Sequence, residues 1–202
     1  MSQPFEIVAQ PFTLWVAAVG SAFPSVDEAP GGSWTKIGTS GDLNYTEDGV
    51  TVSHKQKLET FRALGSTGPR KAFRTEEDQM ISLTLVDLTL EQYKLALNGN
   101  TITTTSPGVG DSGTKKIGLS RGLDVEQYAL LIRGASASAY MEGGVAQYEV
   151  PVAVVVSEPE VVFTKGSPAG LAIEFQALED PSASTTDERF GRLIMANTEP
   201  GT

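Results

Sequence analysis

The glycine-rich segment at residues 108–115 is the first place where residue types and spacing could do chemistry. Its sequence, Gly-Val-Gly-Asp-Ser-Gly-Thr-Lys, resembles a phosphate-binding loop, in which backbone amides hold phosphates and a lysine contacts the terminal ones. That motif needs the lysine directly after the second glycine, whereas Thr114 stands between Gly113 and Lys115 here. No apolar strand precedes the segment and no helix start follows it, so we interpret it as a surface loop.

The other candidate chemical groups are one histidine and a few carboxylates. His54 is the single histidine, and no Gly-x-Ser-x-Gly motif accompanies it, so a hydrolytic triad is not indicated. Glu76, Glu77, Asp78 and Asp42 do not follow the spacing of a calcium loop. Paired carboxylates for glycoside hydrolysis stay open, because such residues meet only in the fold. We expect a protein that is not an enzyme and that uses no metal or cofactor.

A long polar segment, residues 59–78, is called the arm from here on. It connects a strand predicted over residues 50–61 to a strand predicted over residues 80–86, with residues 62–78 as the connecting loop. Most hairpin loops have two to five residues. A much longer loop inside a compact domain is usually functional or disordered.

The charges of the arm allow two interpretations. Basic and acidic residues in it are Arg62, Arg70, Lys71, Arg74, Glu76, Glu77 and Asp78, and Lys55 and Lys57 lie just before it. As ordinary surface charges they would only keep a loop in water. As an assembly element they would complement the acidic surface of another copy, which sets register and encounter rate. We favour the second interpretation because of the length of the arm.

The composition describes a folded, acidic protein without cysteine. Its 202 residues, 40% hydrophobic and 20% charged, suffice for a substantial core. The net charge of −10 argues against a clamped nucleic acid, but it suits a surface that nucleic acid passes without binding. The absence of cysteine excludes disulfides and thiolate metal sites. Because the first basic residue is Lys36 and no long apolar run occurs, we expect no signal peptide, no membrane span and synthesis in the cytoplasm.

Alternation of apolar and polar residues predicts a mainly β fold. Residues 81–85, 128–132 and 171–177 show the period of two that is typical of a half-buried strand. A row of β-branched residues extends over 148–156, and an apolar run at 12–19 predicts an N-terminal strand. These strands belong to one predicted domain, residues 1–180.

The strand predicted over residues 50–61 differs from the others because both of its faces are polar. Val50 and Val52 make one side weakly apolar, while the opposite side carries Lys55, Lys57 and Glu59. Such a strand suits a water-lined lumen or an interface between subunits better than a core.

One helix is predicted, over residues 90–98. Thr89 stands as its N-cap, and Gln92 lies three positions later, which is the spacing of a capping box. The pair Asn98-Gly99 is a signal for the end of a helix.

Three stretches rich in Gly, Pro, Ser and Thr are predicted to be surface loops: residues 25–32, 101–113 and 181–186. The last opens a C-terminal tail, residues 181–202, with apolar residues that a disordered tail would not need. Chief among them are Phe190, Leu193 and Ile194. They would either dock onto a neighbouring subunit or cover an open edge of their own sheet.

The order of these parts resembles the major tail tube protein of phages with long, non-contractile tails (siphophages). The matching parts are residues 33–38 (Ser-Trp-Thr-Lys-Ile-Gly), the polar stretch to Gly49 and Val50, the arm to Lys71, residues 79–86 (Gln-Met-Ile-Ser-Leu-Thr-Leu-Val) and the helix start at residues 89–93 (Thr-Leu-Glu-Gln-Tyr). The resemblance covers residues 33–98, and more loosely the strands between residues 127 and 179.

The resemblance implies a β-sandwich or barrel-like subunit with one flanking helix, a long inter-strand arm and terminal extensions. Six subunits would form a ring, and rings would stack into the hollow tail tube of the virion, through which DNA passes during genome ejection. Strands of all subunits would close one inner barrel, and the arm would dock onto the adjacent ring. The implied partners are further copies of the chain and the tail terminator, tape measure and distal tail proteins, without a membrane.

Two alternatives stay open. A tube protein of a contractile injection or secretion system would also form rings, but it usually lacks such long extensions. A β-sandwich that does not polymerise and binds a glycan or a host surface would need an aromatic-lined groove. Only two tryptophans, Trp15 and Trp34, are available for such a groove.

Overall fold

Ten β-strands and one α-helix form the part of the chain that the computed structural model describes, residues 6–198. The strands are β1 (Thr13–Ala18), β2 (Thr35–Lys36), β3 (Thr51–Phe61), β4 (Lys71–Leu85), β5 (Ile102–Thr105), β6 (Thr114–Ile117), β7 (Gln127–Gly134), β8 (Ala146–Val155), β9 (Leu171–Ala177) and β10 (Arg192–Met195). Helix α1 spans Leu90–Ala96, and short 3₁₀ turns occupy Gly41–Asn44 and Thr186–Glu188. The predicted mainly β fold with one short helix is confirmed. Residues 1–5 of the predicted domain and 199–202 of the predicted tail lie outside the described residues.

Eight of these strands form one antiparallel sheet in the order β2-β1-β7-β8-β9-β4-β3, with β10 beside β8. The edge of β8 opposite β7 is divided between two partners, because its first half pairs with β10 and its last three residues pair with β9. The register between β7 and β8 shifts where Pro151 and Val152 oppose Ala129. A bulge suits a proline, which has no N–H to offer the ladder, and it bends the strand.

Tyr45 shows that the sheet curls so that distant strands come near each other. Its backbone bridges to Leu85 at the end of β4, while its hydroxyl accepts a hydrogen bond from Leu14 N in β1 at 3.1 Å. The same hydroxyl donates to Ile37 O at 2.8 Å. Burial raises the pKa of Tyr45 to about 12, so the hydroxyl stays protonated and keeps this donor role. One residue, through its backbone and its side chain, therefore joins strands that are four positions apart in the sheet order.

The inner faces of β1, β4, β7, β8 and β9 share one hydrophobic core. The period-two predictions for residues 81–85 and 171–177 are confirmed, because the alternating residues Ile81, Leu83 and Leu85, and Leu171, Ile173, Phe175 and Ala177, are buried. Phe175 is the largest fully buried side chain of this core. At about 25 cal/mol per Å² of buried apolar area, such contacts provide most of the stability of a domain of this size.

The prediction that β7 is half-buried is wrong, because a second cluster covers its other face. Ala129 and Leu131 pack there with Ala17 and Trp34, and Trp15 and Phe23 lie at its margin. The indole N–H of Trp34 donates to Ala22 O at 2.9 Å, which ties the start of the β1–β2 loop to a ring that packs on the sheet. Burial of the second face depends on this distant loop, which a local alternation pattern does not reveal.

The helix is confirmed, but the predicted capping box is wrong. Thr89 makes no side-chain cap hydrogen bond. Gln92 is buried, and its side-chain oxygen accepts a hydrogen bond from Gly38 N at 2.9 Å instead of turning back to the helix start. The C-terminal signal is correct, since Asn98 and Gly99 both have positive φ and Gly99 N donates to Lys94 O at 3.0 Å.

The predicted loop over residues 62–78 is wrong in its second half. Strand β4 begins at Lys71 and pairs with β3 from Lys71 to Ser82, so the connecting loop contains residues 62–70 alone. At about 3.3 Å per residue, the 11 residues of β3 span about 36 Å. Hydrophobic periodicity missed residues 71–78 because their strand pairing is not accompanied by burial.

Two further loop predictions need correction. Within residues 101–113, Ile102–Thr105 forms β5, which pairs with β6 as a separate small hairpin. The glycine-rich segment forms much of the connection between these strands, where Gly108 and Asp111 make an isolated bridge. In the predicted tail, Arg192–Met195 forms β10 and belongs to the main sheet.

Candidate assembly surface

The β3–β4 hairpin has two distinct halves. From Lys71 to Glu77 every residue of β4 is exposed, whereas from Gln79 to Leu85 buried and half-buried residues alternate. In the same way, β3 is exposed from His54 onward. The outer half of the hairpin therefore protrudes from the body of the subunit and presents both faces to its surroundings.

Opposite charges face each other where the arm leaves the body. Lys55 lies opposite Asp78 in the register, and Lys57 Nζ lies 2.9 Å from Glu76 Oε1. On the other face, Arg74 is 3.2 Å from Glu77. These pairs hold the ladder in register where no core supports it, and each exposed pair contributes less than about 1 kcal/mol.

The predicted lumen or interface residues Lys55, Lys57 and Glu59 lie on one face of this exposed ladder. They alternate along β3, so their side chains share that face. Whether this face meets the lumen or a neighbouring subunit stays a prediction.

The far end of the arm, residues 61–71, is called the basic tip. It contains Arg62, Arg70 and Lys71 and no acidic residue. Within residues 6–198, none of these three cations forms an ion pair with a carboxylate. Phe61 is 58% exposed and Leu64 is fully exposed beside them. Aromatic and arginine side chains are enriched at protein interfaces, so the basic tip is a candidate docking surface.

The residues predicted to dock the tail lie against their own sheet. Strand β10, which contains Leu193 and Ile194, pairs with the first half of β8. Phe190 packs against the main core, whereas Leu193 remains 43% exposed. The structure thus favours the second of the two alternatives, in which the tail covers an edge of its own sheet.

A buried polar network that the sequence pattern did not reveal fastens this tail. Glu149 of β8 is 3% exposed and accepts from Arg192 Nε at 2.7 Å and from Gln147 Nε2 at 2.6 Å. Gln147 also binds Arg133, whose guanidinium donates to the carbonyls of Ser25 and Val26. The predicted surface loop at residues 25–32 is therefore tied at its start to the sheet. The sequence feature that indicates this network is the single glutamate, Glu149, inside a valine-rich strand.

Gly191 allows the tail to approach β8 closely. Its φ is +115°, and a Cβ at this position would overlap the carbonyl oxygen of Glu149. A residue with a side chain would have to push β10 away from β8, so this glycine decides whether the Arg192–Glu149 pair can form.

His54 is exposed on β3, and residues 6–198 contain no group of three metal-ligating side chains. Trp34 is buried in the second cluster, so it does not line a surface groove. No helix within residues 6–198 is long and apolar enough to cross a membrane.

No family model and no curated protein matches the sequence. Among solved structures, the chain is similar to a chain in the cryo-EM structure of the anti-feeding prophage baseplate, 6-fold symmetrised. The TM-score is 0.51 at 11% identity, and the match covers 96% of this chain and 97% of the other. At this identity the likeness is one of fold, and it extends over nearly the whole chain.

Proposed function

We propose that the chain is a structural subunit of a phage tail or tail-like particle, which forms rings of six that stack into a hollow tube. The observation that carries the proposal is the likeness in fold, over nearly the whole chain, to a component of a baseplate with six-fold symmetry. The protruding arm with its unpaired basic tip supports it, because such a hairpin has a clear use in an assembly. In this role the protein is not an enzyme and needs no cofactor.

The arm stabilises the assembly rather than the subunit. An isolated two-stranded hairpin is at best marginally stable in water, and the outer half of the β3–β4 hairpin has little beyond its own ladder to support it. Leu58, Phe61 and Phe73 are each about half exposed there. Burial against a neighbouring ring would order this hairpin and cover these side chains.

A ring of six copies would carry −60 formal charges, from −10 for each chain. If much of this charge faced the channel, the wall would repel the phosphates of DNA and let the duplex pass without binding. If each copy gave four strands, the inner barrel would hold about 24 strands and measure on the order of 45–50 Å across the backbone. The partners in this proposal are neighbouring copies and the tail terminator, tape measure and distal tail proteins of a virion.

A second candidate is a ring component of an injection particle, such as the prophage baseplate of the structural neighbour. Both chains are covered almost completely in the match, so the terminal extensions do not set them apart. The two candidates differ in the product of assembly, because a tube subunit stacks without limit and a baseplate component forms a ring of fixed height.

Negative-stain electron microscopy of the purified chain, beside size-exclusion light scattering, tests the proposal. We expect rings of six and, at high concentration, hollow tubes. Single rings without tubes would favour the baseplate component. A protein that stays monomeric at every concentration would contradict self-assembly. It would favour a β-sandwich that binds a glycan or a host surface, which a glycan screen then tests.

The role of the arm is tested with Arg70→Glu/Lys71→Glu. Both residues are exposed, so the variant should fold normally but form no long tubes. The matched control is Lys116→Glu/Lys165→Glu, which makes the same charge change at two exposed lysines that form no ion pair within residues 6–198. Tubes of normal length from the first variant would contradict docking by the arm.

A further inference from the structure

A polar groove of about 630 Å³ lies at the inner end of the β3–β4 hairpin. Its floor is the outward face of β3, β4 and β9, with Thr51, Ser82 and Thr84 among its lining residues. Three carboxylates line it, from Asp48, Glu158 and Glu174. They come from three segments that are far apart in the sequence.

The groove and the basic tip lie at opposite ends of the same strands. Strand β3 runs from Thr51 at the groove to Phe61 at the tip, and Thr51 pairs with Ser82, which in turn pairs with Glu174 of β9. The two ends of the hairpin therefore carry opposite charges, with three cations at the basic tip and three carboxylates at the groove.

An orphan hydroxyl in the groove points independently to a missing partner. Ser157 lines the groove and is 8% exposed, and its buried Oγ has no hydrogen-bond partner within the described residues. Buried hydroxyls normally have a hydrogen-bond partner, because a hydroxyl without one loses its hydration and gains nothing in return. A donor that enters the groove could satisfy it.

We propose that the basic tip of one copy docks into this groove of a copy in the next ring, an inference that rests on the proposed function. A contact between different surfaces of identical subunits is heterologous, and it repeats without closing when the copies are related by translation. Tip and groove at opposite ends of one hairpin satisfy this condition. The guanidinium and ammonium groups of Arg62, Arg70 and Lys71 meet Asp48, Glu158 and Glu174, and donors of the tip satisfy Ser157 Oγ.

Other ligands fit the groove less well. Its carboxylates repel the phosphates of nucleic acid. They do not form a group that could hold a metal ion, in keeping with the absence of any such group within residues 6–198. A second copy offers cations in the matching number at the matching end of the molecule.

Complementary charge reversal tests the docking. The tip-reversed variant is Arg70→Glu/Lys71→Glu, and the groove-reversed variant is Asp48→Lys/Glu158→Lys, both at exposed positions. We expect each variant alone to show about a tenfold or larger loss of tube mass by sedimentation, because like charges then meet. An equimolar mixture should recover tubes of alternating rings, since each reversed surface finds its complement. The control Lys116→Glu/Lys165→Glu should behave like the wild type.

The outcomes separate this docking from the proposed function. Wild-type tubes together with a groove-reversed variant that still elongates would overturn the docking and leave the ring assembly standing. Folded variants that stay unassembled when mixed would also overturn it. A wild type that forms neither rings nor tubes would overturn both proposals.

The absence of cysteine in the chain permits a second, direct test. Thr67→Cys in the tip and Glu47→Cys beside the groove are made separately, mixed, assembled and treated with a short bismaleimide. We expect cross-linked dimers from this mixture and few from Thr67→Cys mixed with Val109→Cys, which lies in the β5–β6 connection. Equal yields from both mixtures would overturn the docking.

Discussion

The two halves of the β3–β4 hairpin belong to one continuous ladder of backbone hydrogen bonds, but they differ in the burial of their side chains. In the root, residues 79–85 of β4, Ile81, Leu83 and Leu85 are at most 4% exposed and pack in the main core. In the arm, β4 continues for seven residues with every side chain exposed. The root is held by burial of apolar area, whereas the arm is held by backbone hydrogen bonds and cross-strand charge pairs.

The difference teaches that regular secondary structure in this chain serves two purposes. The root contributes to the stability of the subunit, because its burial gains free energy on folding. The arm contributes little to folding, and its cations and aromatic rings stay exposed. Substitutions in the two halves should therefore separate stability from assembly.

Hydrogen exchange should show the largest contrast. Openings of a native protein range in free energy from near zero to the full stability, which is about 5–15 kcal/mol for a domain. We expect amides of residues 71–77 to exchange orders of magnitude faster than those of residues 81–85, as measured by mass spectrometry on the unassembled chain. Equal protection in both halves would contradict the division. Assembly should slow exchange in the arm alone.

Truncation of apolar side chains should follow the same division. Ile81→Ala removes a fully buried side chain and should lower the free energy of unfolding by about 3 kcal/mol. Phe73→Ala, on the same strand at 47% exposure, should lower it by less than about 1 kcal/mol. Urea denaturation of the two variants measures both values. A comparable loss from Phe73→Ala would mean that the arm packs on its own subunit.

Ion pairs in the body and in the arm should also differ. Arg192→Met leaves the buried carboxylate of Glu149 without its cation and should cost about 2 kcal/mol, because Arg192 is itself half exposed. Lys57→Met breaks an exposed pair with Glu76 and should change stability by less than about 0.5 kcal/mol. Chemical denaturation at neutral pH and moderate salt gives both numbers, and similar losses would contradict the contrast.

Asp87, just after the root, should produce the smallest effect and one that depends on pH. Partial burial raises the pKa of Asp87, but hydrogen bonds from Thr39 and Thr89 outweigh it and hold the pKa below its usual value of 3.8. Its contribution to stability is therefore present above pH 3.8 and is lost as the pH falls toward the lower pKa of the folded state. Asp87→Asn should lower Tm at pH 7 by about 2 °C. The difference in Tm between the wild type and this variant should become smaller in acid. A difference in Tm that stays constant with pH would contradict the stabilisation by ionised Asp87.

Local patterns predicted most of the strands and the helix, because one face of each of these elements is buried and the sequence shows this as a regular apolar period. Residues 171–177 and 81–85 were predicted correctly, since one face of each meets the core. Residues 71–78 were missed as a strand, because their pairing brings no burial and their sequence therefore lacks an apolar period. The capping box failed for the opposite reason: Gln92 has a distant partner, Gly38, that competes for its side chain.

The candidate assembly surface was predicted in one half only. The cations of the arm stand together in the sequence, so Arg62, Arg70 and Lys71 could be recognised as a cluster. The acidic groove could not be predicted, because Asp48, Glu158 and Glu174 are brought together by the pairing of β3, β4 and β9.

By itself the sequence determined the class of fold, the acidic charge, the lack of cysteine chemistry and the concentration of cations in one segment. These properties depend on composition and on periods of a few residues. Only the tertiary structure decided which polar residues are free and which are buried. Glu149 and Lys57 are both charged residues in β-strands, yet Glu149 is buried against the C-terminal strand β10 and Lys57 is exposed to solvent. The physical reason is that burial depends on segments that fold back from far along the chain.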